Sequence, residues 1–243
     1  MQQIELAPRS RATLTDERYV VALEPVGAKT GKLHYFDMDT LKYVSHEVAR
    51  SGNLDSIETM RFDNQLIVFS FDKKEWRENA NTANPSPQSM SNNILAAGMV
   101  YGLRTLDGSQ LWKQPAKLTG YFVPRIQPRN TPFLVAFRAT MNQNTSANST
   151  LGLVLVDLRD ASLAFANNSI PAHSLGQAAN LGHIAVAANP VNHTITVRFG
   201  ATDIVFASTA NERPPQPIFR FGNNGNKAVN NRQALPGFQL FGD

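Results

Sequence analysis

The chain of 243 residues contains no cysteine. That removes disulfide scaffolds, thiolate metal centres and cysteine nucleophiles together. Charge is scarce as well: 17% of residues are charged against 42% hydrophobic, and Asn, Gln, Ser and Thr supply much of the polar content. No stretch approaches the roughly 20 apolar residues that a membrane helix needs. The N-terminal residues 1–8 lack a basic start followed by an apolar run, so they do not read as a signal peptide. Helix formers do not recur at helical spacing over any long stretch.

The net charge is +4, and half of it sits in residues 211–243, where Arg213, Arg220, Lys227 and Arg232 face Glu212 and Asp243. The body is therefore close to neutral and shows no basic stripe of the kind that nucleic-acid binders carry.

What the sequence does have is a succession of short apolar runs divided by turn signals. Strands are expected over 18–24, 33–38, 42–48, 57–62, 66–71, 97–103, 110–113, 121–126, 133–139, 151–157, 162–165, 184–188, 194–199 and 204–207. Asp63-Asn64 makes a two-residue hairpin loop, and Asp107-Gly108 marks another turn. Polar segments over 77–93 and 141–150 read as exposed insertions. After residue 208 the composition shifts to Pro, Asn and Gly with phenylalanines at 219, 221, 238 and 241. Residues 209–243 read as a tail, either disordered or an extended arm that docks its aromatics.

Three hairpins share one pattern. Residues 102–112 run strand, turn, strand and end on Trp112; residues 155–165 repeat the shape and end on Phe165; residues 35–45 open in the same way but carry Ser45 in place of the aromatic. The equivalent positions are Asp37, Arg104 and Asp157, then Thr40, Asp107 and Asp160, spaced by 67 and then 53 residues. Other hairpins alternate with these, so each unit is two hairpins, or four strands. The expected fold is all-β, with about three four-stranded antiparallel blades of a β-propeller over residues 1–208, in an incomplete ring. One small sheet cannot bury both faces, so such units stack face to face, and the terminal aromatic wedges between neighbours for about 2 kcal/mol by area.

The stretch 102–112 resembles the tryptophan-docking repeat of quinoprotein-like (PQQ-like) propellers. Asp107-Gly108 stands for the family's Thr-Gly, and Trp112 for the docking tryptophan. Arg104 departs from the family's Asp, which Asp37 and Asp157 keep; Leu41 and Ala161 replace the glycine, and Ser45 and Phe165 replace the tryptophan. The resemblance implies a periplasmic or cell-surface location. Propellers close with roughly four to eight blades, so three units are expected to be the C-terminal portion of a longer ring, or to be completed by a partner. It offers two functions. One is a non-catalytic scaffold whose loops and tail bind a protein or a surface polymer. The other is a fragment of a PQQ-dependent oxidoreductase. Enzymes of that type place vicinal cysteines over the quinone, and this chain has none. The scaffold is the expectation, with no enzyme activity, no cofactor, no metal and no catalytic residue assigned.

Other chemistry finds little support. Asp37, Asp107, Asp157 and Asp160 are acids that hydrolysis or calcium could use, but Asp at such positions accepts backbone N–H bonds in turns. The histidines at 34, 46, 173, 183 and 193 match no zinc spacing, and Ser91, Ser149 and Ser208 lack a nucleophile-elbow context. Glycosylation triplets begin at Asn144, Asn148, Asn167 and Asn192, as chance allows in an Asn-rich and Ser/Thr-rich chain.

Overall fold

The computed structural model describes residues 5–80, 87–128, 131–140, 150–171, 184–189, 191–192, 194–199, 202–207 and 216–221. Fifteen strands and two short helices make up the described elements. All sheet pairing is antiparallel and follows chain order, in three sheets of which none closes on itself. The first holds β1 (Arg11–Thr15), β2 (Tyr19–Pro25), β3 (Thr30–Asp37) and β4 (Lys42–Ala49). The second runs from β5 (Ser56–Phe62) through β6 (Gln65–Phe71), β7 (Asn93–Arg104), β8 (Ala116–Pro124), β9 (Phe133–Thr140) and β10 (Thr150–Asp157) to β11 (Leu163–Pro171). The third holds β12 (Ile184–Asn189), β13 (Thr194–Phe199), β14 (Thr202–Ala207) and β15 (Gln216–Phe221).

The seven-stranded sheet is two layers in one hydrogen-bonded series. Only Phe122↔Phe137 pairs β8 with β9, so the strands expected over 121–126 and 133–139 are not joined as a regular hairpin, and the sheet folds over at this joint. The core proves the fold-over. Ile67 and Phe69 of β6 and Val100 of β7 pack with Leu134 and Ala136 of β9 and Val154 and Val156 of β10. Residues of opposite parity on the same strands face outward to the other sheets. Leu66, Val68, Tyr101 and Leu103 meet Val21, Leu23, Leu33 and Tyr35 of the first sheet. Val135, Phe137, Leu153 and Leu155 meet Ile195, Val197, Ile204 and Phe206 of the third. Four layers are therefore stacked face to face, with three cores between them.

This explains the sequence pattern. Strands buried on both faces read as unbroken apolar runs, as in Leu153-Val154-Leu155-Val156, all buried. Each fully buried Leu, Val or Phe contributes roughly 1.5–3 kcal/mol. The outermost strands, with one wet face, alternate: β12 is half-buried at Ile184 and Val186 and exposed at Ala185 and Ala187.

Several expectations need correction. Residues 110–113 are not a strand; Gln110 makes one isolated bridge to Leu103. The span 77–93 is only in part an exposed insertion. Helix α1 (Lys73–Asn79) precedes and enters it, α2 (Pro87–Asn92) closes it, and residues 81–86 lie outside the described residues. Helix α1 forms because Asp72 caps it, its carboxylate accepting from the backbone N–H groups of Lys74 and Glu75. Trp76 then turns inward, edge-on to Phe122 at 5.1 Å between ring centres. In the tail, Gln216–Phe221 pairs along β14 as a strand. Residues 141–149 and the rest of the tail lie outside the described residues.

Candidate functional site

The turns that carry these acids share single hydrogen bonds. Asp37 Oδ1 accepts from the N–H of Asp39 at 3.0 Å, and Asp157 Oδ1 from that of Arg159 at 2.9 Å. Asp107 Oδ1 accepts from Ser109 N at 2.9 Å and Ser109 Oγ at 2.6 Å; Asp160 does the same with Ser162 at 3.0 and 2.6 Å. Leu41, Gly108 and Ala161, the three equivalent residues that follow, all take positive φ, at 54°, 71° and 65°. These are Asp-closed turns with a left-handed residue.

Asp37 and Asp157 are both buried, and each is gripped by an arginine through two bonds. Arg18 Nε and Nη2 donate to Asp37 at 2.9 and 2.7 Å, and Arg159 donates to Asp157 at 2.8 and 2.7 Å. The Arg18 guanidinium holds the Asp37 carboxyl well below the usual carboxylate range, against the opposing effect of burial. Hydrogen bonds from Ser109 likewise lower Asp107.

Successive layers are joined at these same turns. Tyr35 Oη of the first layer donates to the carbonyl of Thr105 at 2.5 Å, and Trp112 Nε1 of the second donates to the carbonyl of Leu158 at 2.8 Å. Thr105 and Leu158 are equivalent positions, one residue after Arg104 and Asp157. His46 Nε2 adds a bond to the Gly108 carbonyl at 2.7 Å. Trp112 itself is buried against Gly102 and packs in the core between the second and third layers. Phe165 has no polar atom to offer and meets Phe206 of the last layer edge-on at 5.0 Å. Ser45 is not the donor of the first layer; Tyr35 on the neighbouring strand takes that part.

Among the described residues the third layer has no regular first strand. In its place the Gln127 side chain pairs with the free edge of β9. Its Nε2 donates to the Val135 carbonyl and its Oε1 accepts from the Val135 N–H, both at 2.8 Å.

One polar cluster escaped the sequence reading. On the outward face of the first layer, His34 is buried at 6% exposure. Its Nε2 lies 2.8 Å from Glu24 Oε2, and its Nδ1 lies 2.8 Å from Tyr43 Oη. A carboxylate only accepts, so in the neutral imidazole Nε2 carries the proton and Nδ1 is free to accept from the Tyr43 hydroxyl. The signal for it is cross-strand register. Ala22↔His34 and His34↔Ser45 place Glu24 and Tyr43 as diagonal neighbours of His34 on one face.

Cavities are small. A cleft of about 190 Å³ lies between Glu47, Tyr101, Gln110 and Lys113, and another of about 170 Å³ between Arg61, Phe62, Arg125 and Ile126. Both fall below the roughly 300 Å³ at which small-molecule pockets begin. Among the described residues no group of three acids or histidines is placed to hold a metal, and no helix is long and apolar enough to cross a membrane. His173, His183, His193, Ser149 and Ser208 lie outside the described residues; Asn192 is exposed beside the β12–β13 turn.

No family model matches the chain, and no curated protein does. Among solved structures the chain is similar to a functionally unknown protein from Desulfotomaculum acetoxidans DSM 771, at 11% identity and a TM-score of 0.28. The match covers 88% of this chain and 55% of that one, so the chain spans about half the length of that structure.

Proposed function

We propose that the chain is a non-catalytic scaffold of the β-propeller type, whose stacked antiparallel layers hold loops for binding a protein partner. The observation that carries this reading is a pair of ties onto equivalent carbonyls, Tyr35 to that of Thr105 and Trp112 to that of Leu158. Each fastens one layer to the turn of the next, as tryptophan docking does in quinoprotein-like propellers. The four acids that hydrolysis or calcium could have used are engaged in the same framework, by turn N–H groups and by arginines. A rigid frame of this kind concentrates binding on its loops. The turns offer apolar side chains for it: Leu41 at 72% and Leu106 at 85% exposure stand on the corresponding turns of the first two layers.

The test is partner capture followed by direct binding of the purified partner. The double variant Leu41→Asp/Leu106→Asp, or deletion of residues 141–149, is expected to weaken binding at least tenfold while the thermal melt is unchanged. Full binding by both variants would sink the reading. Retention on a surface polysaccharide instead of a protein would keep the scaffold and change the class of its partner.

A further inference from the structure

We propose that Tyr43 is a nucleophilic tyrosine that accepts activated acyl groups, with His34 as the base that takes its proton and Glu24 orienting that base. A hydroxyl, an imidazole and a carboxylate joined in series at hydrogen-bond distance are the arrangement by which proteins activate weak oxygen nucleophiles. Here both links are 2.8 Å.

The other tyrosines show what sets Tyr43 apart. The chain has five, at 19, 35, 43, 101 and 121, and all are described. Tyr35 donates to the Thr105 carbonyl and Tyr101 to the Ala49 carbonyl at 2.9 Å, acceptors that cannot take the proton away. Burial pushes both of these phenols up, and Tyr121 with them. Tyr19 is buried, its ring flanked by the Arg18 and Arg61 guanidinium groups. Only Tyr43 combines a half-buried, reachable ring with a hydroxyl that points at a base.

In the step itself, Tyr43 Oη attacks the acyl carbon of an activated ester, and the Oη–C bond forms as the bond from that carbon to the leaving oxygen breaks. The phenolic proton passes to His34 Nδ1, Glu24 stabilises the imidazolium, and the proton leaves with the departing alcohol or phenol. The product is one acyl-tyrosine per chain. It is a modification of the scaffold and does not depend on the scaffold's binding role.

The experiment treats the whole chain with p-nitrophenyl acetate near neutral pH and maps acetylated residues by peptide mass spectrometry over time. N-acetyl-tyrosinamide serves as the freely exposed reference. Tyr43 is expected to acetylate at least tenfold faster than the reference, a modest share of the roughly 100-fold or more that a placed general base supplies. His34→Gln and Glu24→Gln should each slow it toward the reference rate, and Tyr43→Phe should remove the fast phase. Acetylation of Tyr43 no faster than the free reference would overturn the proposal, because exposure alone cannot exceed full exposure. So would an undiminished rate in His34→Gln. The comparison with the reference is made on the unmutated chain, so it decides even where a variant fails to fold.

Discussion

The indole Nε1 of Trp112 donates to the carbonyl of Leu158 across the boundary between two layers, 46 residues on in the chain. The ring also fills the space beside Gly102, so the side chain contributes both area and a bond. The two are separable. Trp112→Phe keeps most of the buried ring and strands the Leu158 carbonyl, at a cost of about 1–3 kcal/mol. Trp112→Ala removes the ring as well and is expected to cost about 3–5 kcal/mol. Urea unfolding of the two variants measures the difference. Equal losses would mean that the bond carries the whole effect of the residue.

The left-handed residue of the repeated turn gives a contrasting pair. Gly108 has φ of 71°, and a Cβ there would run into the Tyr35 ring. Gly108→Ala is therefore expected to lower stability by about 1–3 kcal/mol, and to disturb the Tyr35 tie. Leu41 holds φ of 54° with its side chain mostly in water. Left-handed backbone costs a side-chain-bearing residue about 1–2 kcal/mol, and glycine's extra freedom when unfolded returns about half of that. Leu41→Gly should thus raise stability by up to about 1 kcal/mol, a shift of about 2–4 °C in Tm for a chain of this size. A loss on Leu41→Gly would show that the side chain packs on something the turn geometry does not reveal.

How far the sequence could be read follows from where each signal resides. The run Leu151 to Asp157 and the hairpin around Asp63-Asn64 were legible because their period and turn chemistry are local. The turn acids were legible for the same reason. Strand β1 was not: Arg11–Thr15 is short, and its sequence Arg-Ala-Thr-Leu-Thr has no apolar run. Helix α1 depends on a single cap at Asp72 and a single buried Trp76, too little for a periodicity. The fold-over after β8 was hidden because Phe122 and Phe137 sit in good strands whose pairing stops after one residue. The Glu24–His34–Tyr43 series needs the register of two hairpins at once, and spacing along one strand does not contain it.

Gln127 stands where the third layer would have its first strand, and it satisfies both backbone groups of Val135. Val135 is fully buried, so these groups have no water to turn to. Gln127→Ala is expected to cost about 1–3 kcal/mol for the buried groups left unmade. Amide hydrogen exchange gives a local check: protection of the Val135 N–H should fall while that of Leu153, on the far side of β9, stays close to its original value. Unchanged protection at Val135 would mean that backbone from the adjoining loop replaces the amide.

The Arg18–Asp37 pair sets the direction of one pH effect. Asp37 is buried at the end of β3, accepts two bonds from Arg18 and one from the Asp39 N–H, and has its pKa lowered by them. In the unfolded chain the same carboxyl titrates near 3.9, roughly the free value. A proton therefore binds the unfolded chain more readily than the folded one, and protonation favours unfolding. The stabilisation is fully present above about pH 4 and is lost as pH falls further, toward the lowered folded value. Thermal melts between roughly pH 2 and 7 should show a Tm that drops steeply below about pH 4 in the natural chain. In Asp37→Asn the Tm should begin lower and fall less, because the variant keeps a turn acceptor but has no charge to lose. The two curves should converge at the acid end. Parallel curves would show that Asp37 acts through its turn bond alone and that the arginine grip adds nothing to the folded state.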